Sequence, residues 1–217
     1  HVGVDERPKE SWEGSPKVIE YMKKNNIASF DELQDDYMNN IINILKKSNK
    51  LTAAWNEAAL PPHNDIGSAG SAGKIDDTCI IFAWEHPDVG VMSAKKGFKT
   101  VLCPGNKTYF DMAHNNSTFE RGICWAATIE VKDIFDWQPL RDFANEDLKN
   151  VLGIQGQLWS ETITNKDFFD EMINPRLATL AEIAWCSKAK RPWAQFRSSL
   201  LHNLDYLSKL GWNFHNF

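Results

Sequence analysis

The sequence predicts an α/β fold in which the strands of a parallel sheet alternate with helices. Short apolar segments and amphipathic segments take turns along the chain, as in strand-helix-strand units. The clearest helix begins at a capping box, Ser29-Phe30-Asp31-Glu32, and extends to Lys47. Its apolar residues recur at helical spacing: Leu33, Tyr37, Ile41, Ile44 and Leu45. This alternation fits part of a (β/α)8 TIM-type barrel or a doubly wound open sheet, and we predict the barrel.

The remaining elements follow from the same patterns. The segments predicted to be strands are residues 1–6, 51–55, 79–84, 99–103 and 151–159. Helical patterns cover residues 16–24, 30–47, 87–96, 131–135, 142–150, 167–185 and 193–210. Residues 61–74, rich in Pro, Gly, Ser and Ala, are predicted to form a long loop, and residues 104–122 are predicted to be irregular. A whole (β/α)8 barrel takes about 250 residues, so the 217 residues here predict part of one.

The composition argues against a nucleic-acid partner, a membrane span and two kinds of cysteine site. The formal net charge is −5 and the basic residues are spread through the chain, so no nucleic-acid partner is expected. No apolar run reaches the length of a membrane span. The cysteines form no CxxC pair, so neither a zinc site nor a thioredoxin-type site is expected. They are Cys79, Cys103, Cys124 and Cys186.

Acidic and aromatic residues recur where the predicted strands end. Asp5 and Glu6 follow the first strand, although taken alone they also fit a helix cap and a solvated side chain. The later strand ends carry Trp55 with Glu57, Trp84 with Glu85, and Trp159 with Glu161. In a (β/α)8 barrel the carboxyl ends of the strands meet at the face where active sites lie. Indole rings beside carboxylates suit a pyranose, because its C–H faces stack on the rings and its hydroxyl groups bind the acids.

Two segments near opposite ends of the chain resemble one enzyme family. His1-Val2-Gly3-Val4-Asp5-Glu6 resembles the H-x-G-x-D-E signature of glycoside hydrolase family 20, the β-N-acetylhexosaminidases, and especially their bacterial chitobiase branch. Residues 156–161, followed by 175–178 and 181–185, are similar to the last strand and helix of that family. The resemblance implies that residues 1–217 are the C-terminal part of a glycoside hydrolase catalytic barrel, from its fourth strand onward.

This sequence departs from the family in two respects. Most members have a second glycine where this chain has Val4. The first three strands of the family's barrel, which supply an arginine and further acids that hold the sugar, are not in this sequence.

The resemblance implies a retaining mechanism in which the substrate assists. Glu6 would be the general acid and then the general base, while the 2-acetamido oxygen of the sugar attacks the anomeric carbon and forms an oxazolinium ion. Asp5 would accept the acetamido N–H, and Tyr109 would donate its hydroxyl to the acetamido oxygen. The implied substrate-binding residues are Trp55, Trp84 and Trp125 as walls of the acetamido pocket, Trp159 beneath the sugar ring, Asp111 and Glu161 on ring hydroxyls, and His1 behind the acids. No metal or organic cofactor is implied.

The implied reaction releases terminal, non-reducing N-acetylglucosamine or N-acetylgalactosamine from β-linked glycans such as chitobiose. The partners would be β-linked N-acetylhexosamine oligosaccharides. A non-catalytic carbohydrate-binding barrel and an inactive fragment of the hydrolase are the alternatives, and the intact Asp5-Glu6 pair argues against the first because sugar binding alone needs no acid. We expect that half a barrel either self-associates through its open sheet edges or is part of a longer protein. The resemblance favours a periplasmic, secreted or outer-membrane-associated protein.

Other conspicuous side chains are interpreted structurally. Arg176 is predicted to form an ion pair within the last helix, and Trp12 fits either stacking on a second sugar or packing. The tryptophans assigned to packing are Trp137, Trp185, Trp193 and Trp212.

Overall fold

The computed structural model describes residues 1–61, 68–186 and 192–217. Contacts divide the chain into two compact units. The first unit contains residues 1–102 and 142–152, and the second contains residues 103–141 and 153–217.

The secondary structure confirms the predicted alternation of strands and helices. The strands are β1 (Arg7–Pro8), β2 (Ala53–Trp55), β3 (Ser68–Ala69), β4 (Ile80–Ala83), β5 (Thr100–Leu102) and β6 (Val151–Ile154). The helices are α1 (Pro16–Asn25), α2 (Phe30–Lys47), α3 (Pro87–Lys95), α4 (Gly105–Thr108), α5 (Val131–Asp136), α6 (Lys166–Ile173), α7 (Arg176–Trp185) and α8 (Trp193–Lys209). Short 3₁₀ helices cover Asn56–Ala58 and Leu148–Asn150. Among the described helices, none has both the length and the apolarity needed to cross a membrane.

The strands β2, β4, β5 and β6 form a four-stranded sheet in that order, and the first unit contains β2, β4, β5 and the first two residues of β6. β2 pairs in parallel with β4, and β4 pairs in parallel with β5. The sheet covers an apolar core made of Met38, Ile42, Ala54, Ala58, Ala59, Leu60, Ile75, Cys79, Ile81, Ala83, Val89 and Phe98. Because the paired strands are parallel, their carboxyl ends lie at one edge of this sheet.

The predicted opening strand, residues 1–6, is interrupted. Val2 donates its backbone N–H to Ala53 O at 2.9 Å, and Trp55 donates to Gly3 O at 3.0 Å, so the segment does lie beside β2. However, φ is 76° at Gly3, 74° at Val4 and 51° at Glu6. These left-handed conformations are incompatible with a continuing strand. The chain then forms β1, which pairs antiparallel with β3.

Helix α2 was predicted correctly, and its buried face includes two polar residues. Tyr37 is 52% exposed and Ile44 is 59% exposed, whereas the polar Gln34 and Asp35 are buried. Gln34 donates its side-chain N–H to Glu57 O at 2.7 Å, and Asp35 accepts the backbone N–H of Lys74 at 2.9 Å. These polar side chains can be buried because they find hydrogen-bond partners inside the unit.

Three other predicted elements are shorter than expected. The helix predicted at 167–185 is divided into α6 and α7 at Asn174-Pro175, because a proline lacks the N–H that a continuous helix needs. In the segment 142–150 only the 3₁₀ helix at its end forms, and the strand predicted at 151–159 ends at Ile154. The predicted loop 61–74 contains β3, and its residues 62–67 lie outside the described residues.

The second unit is organised around the guanidinium group of Arg176, which is 0% exposed. The prediction that Arg176 forms an ion pair within the last helix was wrong. Arg176 instead donates its N–H groups to four backbone carbonyls. These are Phe110 O at 2.6 Å, Met112 O at 2.8 Å, Ile129 O at 3.1 Å and Met172 O at 2.6 and 2.9 Å. Burial lowers the pKa of Arg176 to about 9. The cation therefore joins the segment that follows α4 to helices α6 and α7.

The tryptophans assigned to packing differ in their surroundings. Trp137 is buried, as predicted, and Trp193 packs against Phe135 with ring centroids 5.2 Å apart. Trp185 is 89% exposed, so the packing interpretation was wrong for it, and Trp212 is partly exposed. The Trp12 ring lies 4.4 Å from the guanidinium carbon of Arg7, which favours the packing alternative for Trp12.

The buried position of Arg176 predicts a strong effect on stability. Arg176→Met should lower the free energy of unfolding by about 3 kcal/mol or more, because it leaves several buried carbonyls without donors. Arg176→Lys should be intermediate, since one ammonium group cannot reach all four carbonyls. Chemical denaturation measures the effect, and Arg197→Met, at an exposed position on α8, is the matched control. Equal losses in Arg176→Met and Arg197→Met would contradict this role.

Candidate active site

In the first unit, Asp5 and Glu6 lie at the turn beside β2, and both are exposed. The left-handed φ of Glu6 breaks the alternation by which neighbouring side chains of a strand point to opposite faces. At Gly3 a Cβ atom would come within 3.3 Å of Asp5 Oδ1, and φ there is 76°. Glycine therefore suits this position both by its conformation and by the space beside it.

Glu57 lies directly after β2 and supports this turn from within the unit. Its side chain is 0% exposed, and Oε1 accepts the backbone N–H of Glu6 at 3.2 Å. Oε2 accepts the indole N–H of Trp84 at 2.9 Å. Burial raises the pKa of Glu57 to about 7, and the nearby carboxylate of Glu85 acts in the same direction.

Asn56 makes a second connection between the ends of β2 and β4. Its side-chain N–H donates to Glu85 Oε2 at 2.6 Å, and its Oδ1 accepts the backbone N–H of Trp84 at 3.1 Å. Trp84 is thus held through both its backbone and its ring. The rigid placement of Trp84 is what a pocket wall requires.

His1 and Trp55 belong to an aromatic cluster in the same unit. The His1 ring centroid lies 4.7 Å from that of Trp55 and 4.9 Å from that of Phe82, in edge-to-face arrangements. Nδ1 of His1 accepts the backbone N–H of Gly3 at 3.2 Å. His1 therefore contacts the turn that carries the acids.

In the second unit, Tyr109 lies beside the segment that follows β6. Phe110 donates its backbone N–H to Gln157 O at 2.7 Å, and Gln157 donates to Thr108 O at 2.9 Å. The Tyr109 ring is buried, and its centroid lies 5.8 Å from that of Trp125 and 6.1 Å from that of Trp159. Both tryptophans retain substantial exposed surface. These three rings form an aromatic group within the unit.

Asp111 is almost completely buried next to this group. Its Oδ1 accepts the backbone N–H of Trp159 at 3.4 Å, and within the described residues its Oδ2 has no hydrogen-bond partner. Burial raises the pKa of Asp111, and the exposed Glu161 contributes in the same direction. A buried carboxylate oxygen without a hydrogen-bond donor is unfavourable.

The predicted site residues thus fall into two sets. The first unit brings together His1, Asp5, Glu6, Trp55 and Trp84, and the second brings together Tyr109, Asp111, Trp125, Trp159 and Glu161. Sequence reasoning noted Glu57 only as an acid at a strand end, and it gave no role to Gln157. The position of Glu57 immediately after a buried strand was the available signal for its importance.

One group of side chains could be considered for a metal. His114, Glu120 and His215 have ligand atoms within 4.8 Å of one another. However, the two imidazole rings are stacked, with centroids 3.7 Å apart and planes at 5°. The lone pairs of imidazole nitrogens lie in the ring planes, so parallel stacked rings do not direct them at a common ion. This arrangement favours packing over coordination.

The sequence matches a family model and curated relatives. The model for glycosyl hydrolase family 20, catalytic domain, matches residues 1–188. A β-hexosaminidase from Vibrio furnissii is 32% identical over 183 residues, covering 83% of this chain and 28% of the relative. A β-N-acetylhexosaminidase from Cellulomonas fimi is 26% identical over 175 residues, covering 79% of this chain and 33% of the relative. The chain therefore spans about a third or less of the length of these relatives.

Solved structures share the fold. A family 20 exo-β-N-acetylglucosaminidase from Vibrio harveyi, in complex with N-acetylglucosamine, superposes with a TM-score of 0.88 at 30% identity, over 100% of this chain and 32% of that chain. A chitobiase from Flavobacterium johnsoniae gives a TM-score of 0.69 at 26% identity, over 93% of this chain and 28% of that chain. This chain belongs to glycoside hydrolase family 20. Its fold is part of the (β/α)8 barrel of that family's catalytic domain, as predicted.

The buried His114 predicts a specific pH dependence of stability. Burial lowers the pKa of His114 to about 2, so between about pH 6.5 and 2 the unfolded chain binds a proton there that the folded chain does not. The contribution of His114 to the free energy of unfolding is therefore full above pH 6.5. It decreases by about 1.4 kcal/mol for each pH unit below that value. His114→Phe removes that loss and keeps a ring against His215.

Denaturation at pH 7, 6 and 5 measures the effect in the full natural protein. The stability advantage of the wild type over His114→Phe should shrink at each step. His202→Gln, at an exposed position on α8, should follow the wild-type pH dependence. Parallel curves for the wild type and His114→Phe would show that His114 is not held neutral.

Proposed function

We propose that the protein containing this chain is an exo-acting β-N-acetylhexosaminidase. It removes terminal, non-reducing N-acetylglucosamine or N-acetylgalactosamine from β-linked glycans such as chitobiose, with retention of configuration. The observation that carries the proposal is the Asp5-Glu6 pair at a turn beside the parallel sheet, in a chain that belongs to family 20. The β-hexosaminidase relatives support the same assignment.

In the first step Glu6 acts as the general acid. Its carboxyl proton passes to the glycosidic oxygen as the bond from that oxygen to the anomeric carbon breaks. The 2-acetamido oxygen of the sugar forms a bond to the same carbon, giving an oxazolinium ion. Asp5 accepts the acetamido N–H and stabilises the positive charge that develops on this group.

In the second step Glu6, now a carboxylate, acts as the general base. It removes a proton from a water molecule whose oxygen attacks the anomeric carbon, and the bond to the acetamido oxygen breaks. Two displacements at one carbon give net retention. The carboxyl proton is thereby restored on Glu6 for the next cycle.

We also propose, from the family resemblance, sugar-binding roles for residues of the second unit. Tyr109 would donate its hydroxyl to the acetamido oxygen, and Asp111 Oδ2 offers a buried acceptor for a ring hydroxyl. Glu161 would bind a further hydroxyl group. Trp159 would lie beneath the ring, and Trp55, Trp84 and Trp125 would enclose the acetamido group.

A non-catalytic carbohydrate-binding barrel is the second candidate function. The partly exposed faces of Trp125 and Trp159 would serve it equally well. It gives no role to Asp5 and Glu6, however, so hydrolysis that depends on Glu6 separates the two functions.

Glu6→Gln tests the acid in the full natural protein. Hydrolysis of chitobiose, which has a poor leaving group, should fall by about 10²- to 10⁴-fold because no proton reaches the leaving oxygen. Bond cleavage in a dinitrophenyl N-acetyl-β-glucosaminide, whose leaving group needs no proton, should fall much less. Glu20→Gln, at an exposed position on α1, is the control and should match the wild type on both substrates. Near-normal hydrolysis of chitobiose by Glu6→Gln would refute the assignment.

A further inference from the structure

Glu57 is a buried carboxylate that the proposed mechanism leaves without a role. It lies in the 3₁₀ helix that directly follows β2, and its side chain has no exposed surface. Within the described part of the chain, no cationic side chain pairs with it. Burying a carboxylate without a counter-ion is unfavourable unless hydrogen bonds stabilise it.

Two hydrogen bonds of this carboxylate go to residues of the candidate site. One oxygen accepts the backbone N–H of Glu6 at 3.2 Å, and the other accepts the indole N–H of Trp84 at 2.9 Å. These donors are 51 and 27 residues away along the chain. A single side chain therefore connects the turn that carries the acids, the end of β2 and the end of β4.

The two donors are groups whose placement needs support. Glu6 has a φ of 51°, and a residue with a Cβ keeps a left-handed conformation only where its surroundings impose it. The indole N–H of the buried Trp84 needs an acceptor, and Glu57 Oε2 supplies one. Glu57 lies in a 3₁₀ helix, and its backbone carbonyl accepts the side-chain N–H of Gln34 at 2.7 Å. Because its backbone is fixed in this way, its side chain can hold both groups in place.

We propose that Glu57 is a positioning residue for hydrolysis, an inference that rests on the proposed function. Its carboxylate fixes both the backbone of Glu6 and the ring plane of Trp84. Glu57 acts through Glu6 on proton transfer to the leaving oxygen. Through Trp84 it acts on the binding of the 2-acetamido group. Two steps of the reaction thus depend on one buried side chain that does not touch the reacting atoms.

Glu57→Gln tests this role in the full natural protein. The amide keeps the shape of the side chain but replaces one acceptor oxygen with an NH₂ group, which faces an N–H donor, so one of the two hydrogen bonds is lost. We expect kcat/KM on chitobiose, whose leaving oxygen needs the proton from Glu6, to fall by about 10- to 100-fold. The concentration of folded active sites should be determined by titration with a thiazoline analogue of N-acetylglucosamine. The kcat is then calculated from this concentration, so that unfolded protein does not contribute. Glu20→Gln is the isosteric control at an exposed position of the same unit.

An NMR measurement tests the contact itself, independently of activity. In protein labelled with ¹⁵N-tryptophan, the indole signal of Trp84 is identified by its loss in Trp84→Phe. Glu57→Gln should shift this signal and speed its exchange with solvent, and Glu20→Gln should do neither. An unchanged signal, or a wild-type kcat and KM in Glu57→Gln, would overturn the inference. A wild-type protein that fails to hydrolyse the glycoside would instead refute the proposed function itself.

Discussion

The candidate site of the first unit depends on one backbone constraint, the left-handed turn from Gly3 to Glu6. A glycine adopts positive φ readily, but a β-branched residue such as Val4 does so only under constraint. Val2 and Val4 pack against the apolar core, and Gly3 O accepts the backbone N–H of Trp55, so packing and hydrogen bonding impose the turn. The second glycine that most family members carry at the position of Val4 is explained by the same φ of 74°. The turn is therefore what places two successive carboxylates at the edge of the sheet.

In the second unit a buried cation has the corresponding role. Arg176 binds the carbonyls of Phe110 and Met112, which are the residues on either side of Asp111. It therefore fixes the backbone that carries a carboxylate with one unpartnered oxygen. Its charge also opposes the effect of burial on the pKa of Asp111. Both units thus use a buried ionisable side chain to hold the backbone around a candidate site residue.

Local sequence signals predicted the elements but not the contacts that orient the site. The capping box placed the start of α2 correctly, since Ser29 accepts the backbone N–H of Glu32 at 3.1 Å and only nearby residues are involved. The strand ends were also placed correctly at Trp55 and, within one residue, at Trp84. The partners of Arg176 at Phe110 and Met112, in contrast, are 66 and 64 residues away, and such pairing follows from tertiary packing. The positive φ of Val4 was not predicted, because valine alone favours a strand.

In the proposed mechanism the substrate's own acetamido oxygen, and not an enzyme carboxylate, is the nucleophile. The most direct measurement compares kcat/KM of the full natural protein on aryl β-glucosaminides bearing acetyl, fluoroacetyl, difluoroacetyl and trifluoroacetyl groups on the 2-amino nitrogen. Each fluorine withdraws electrons from the amide oxygen, so we expect kcat/KM to fall steeply along the series. A kcat/KM that stays constant across the four substrates would contradict it and would indicate a nucleophile supplied by the enzyme.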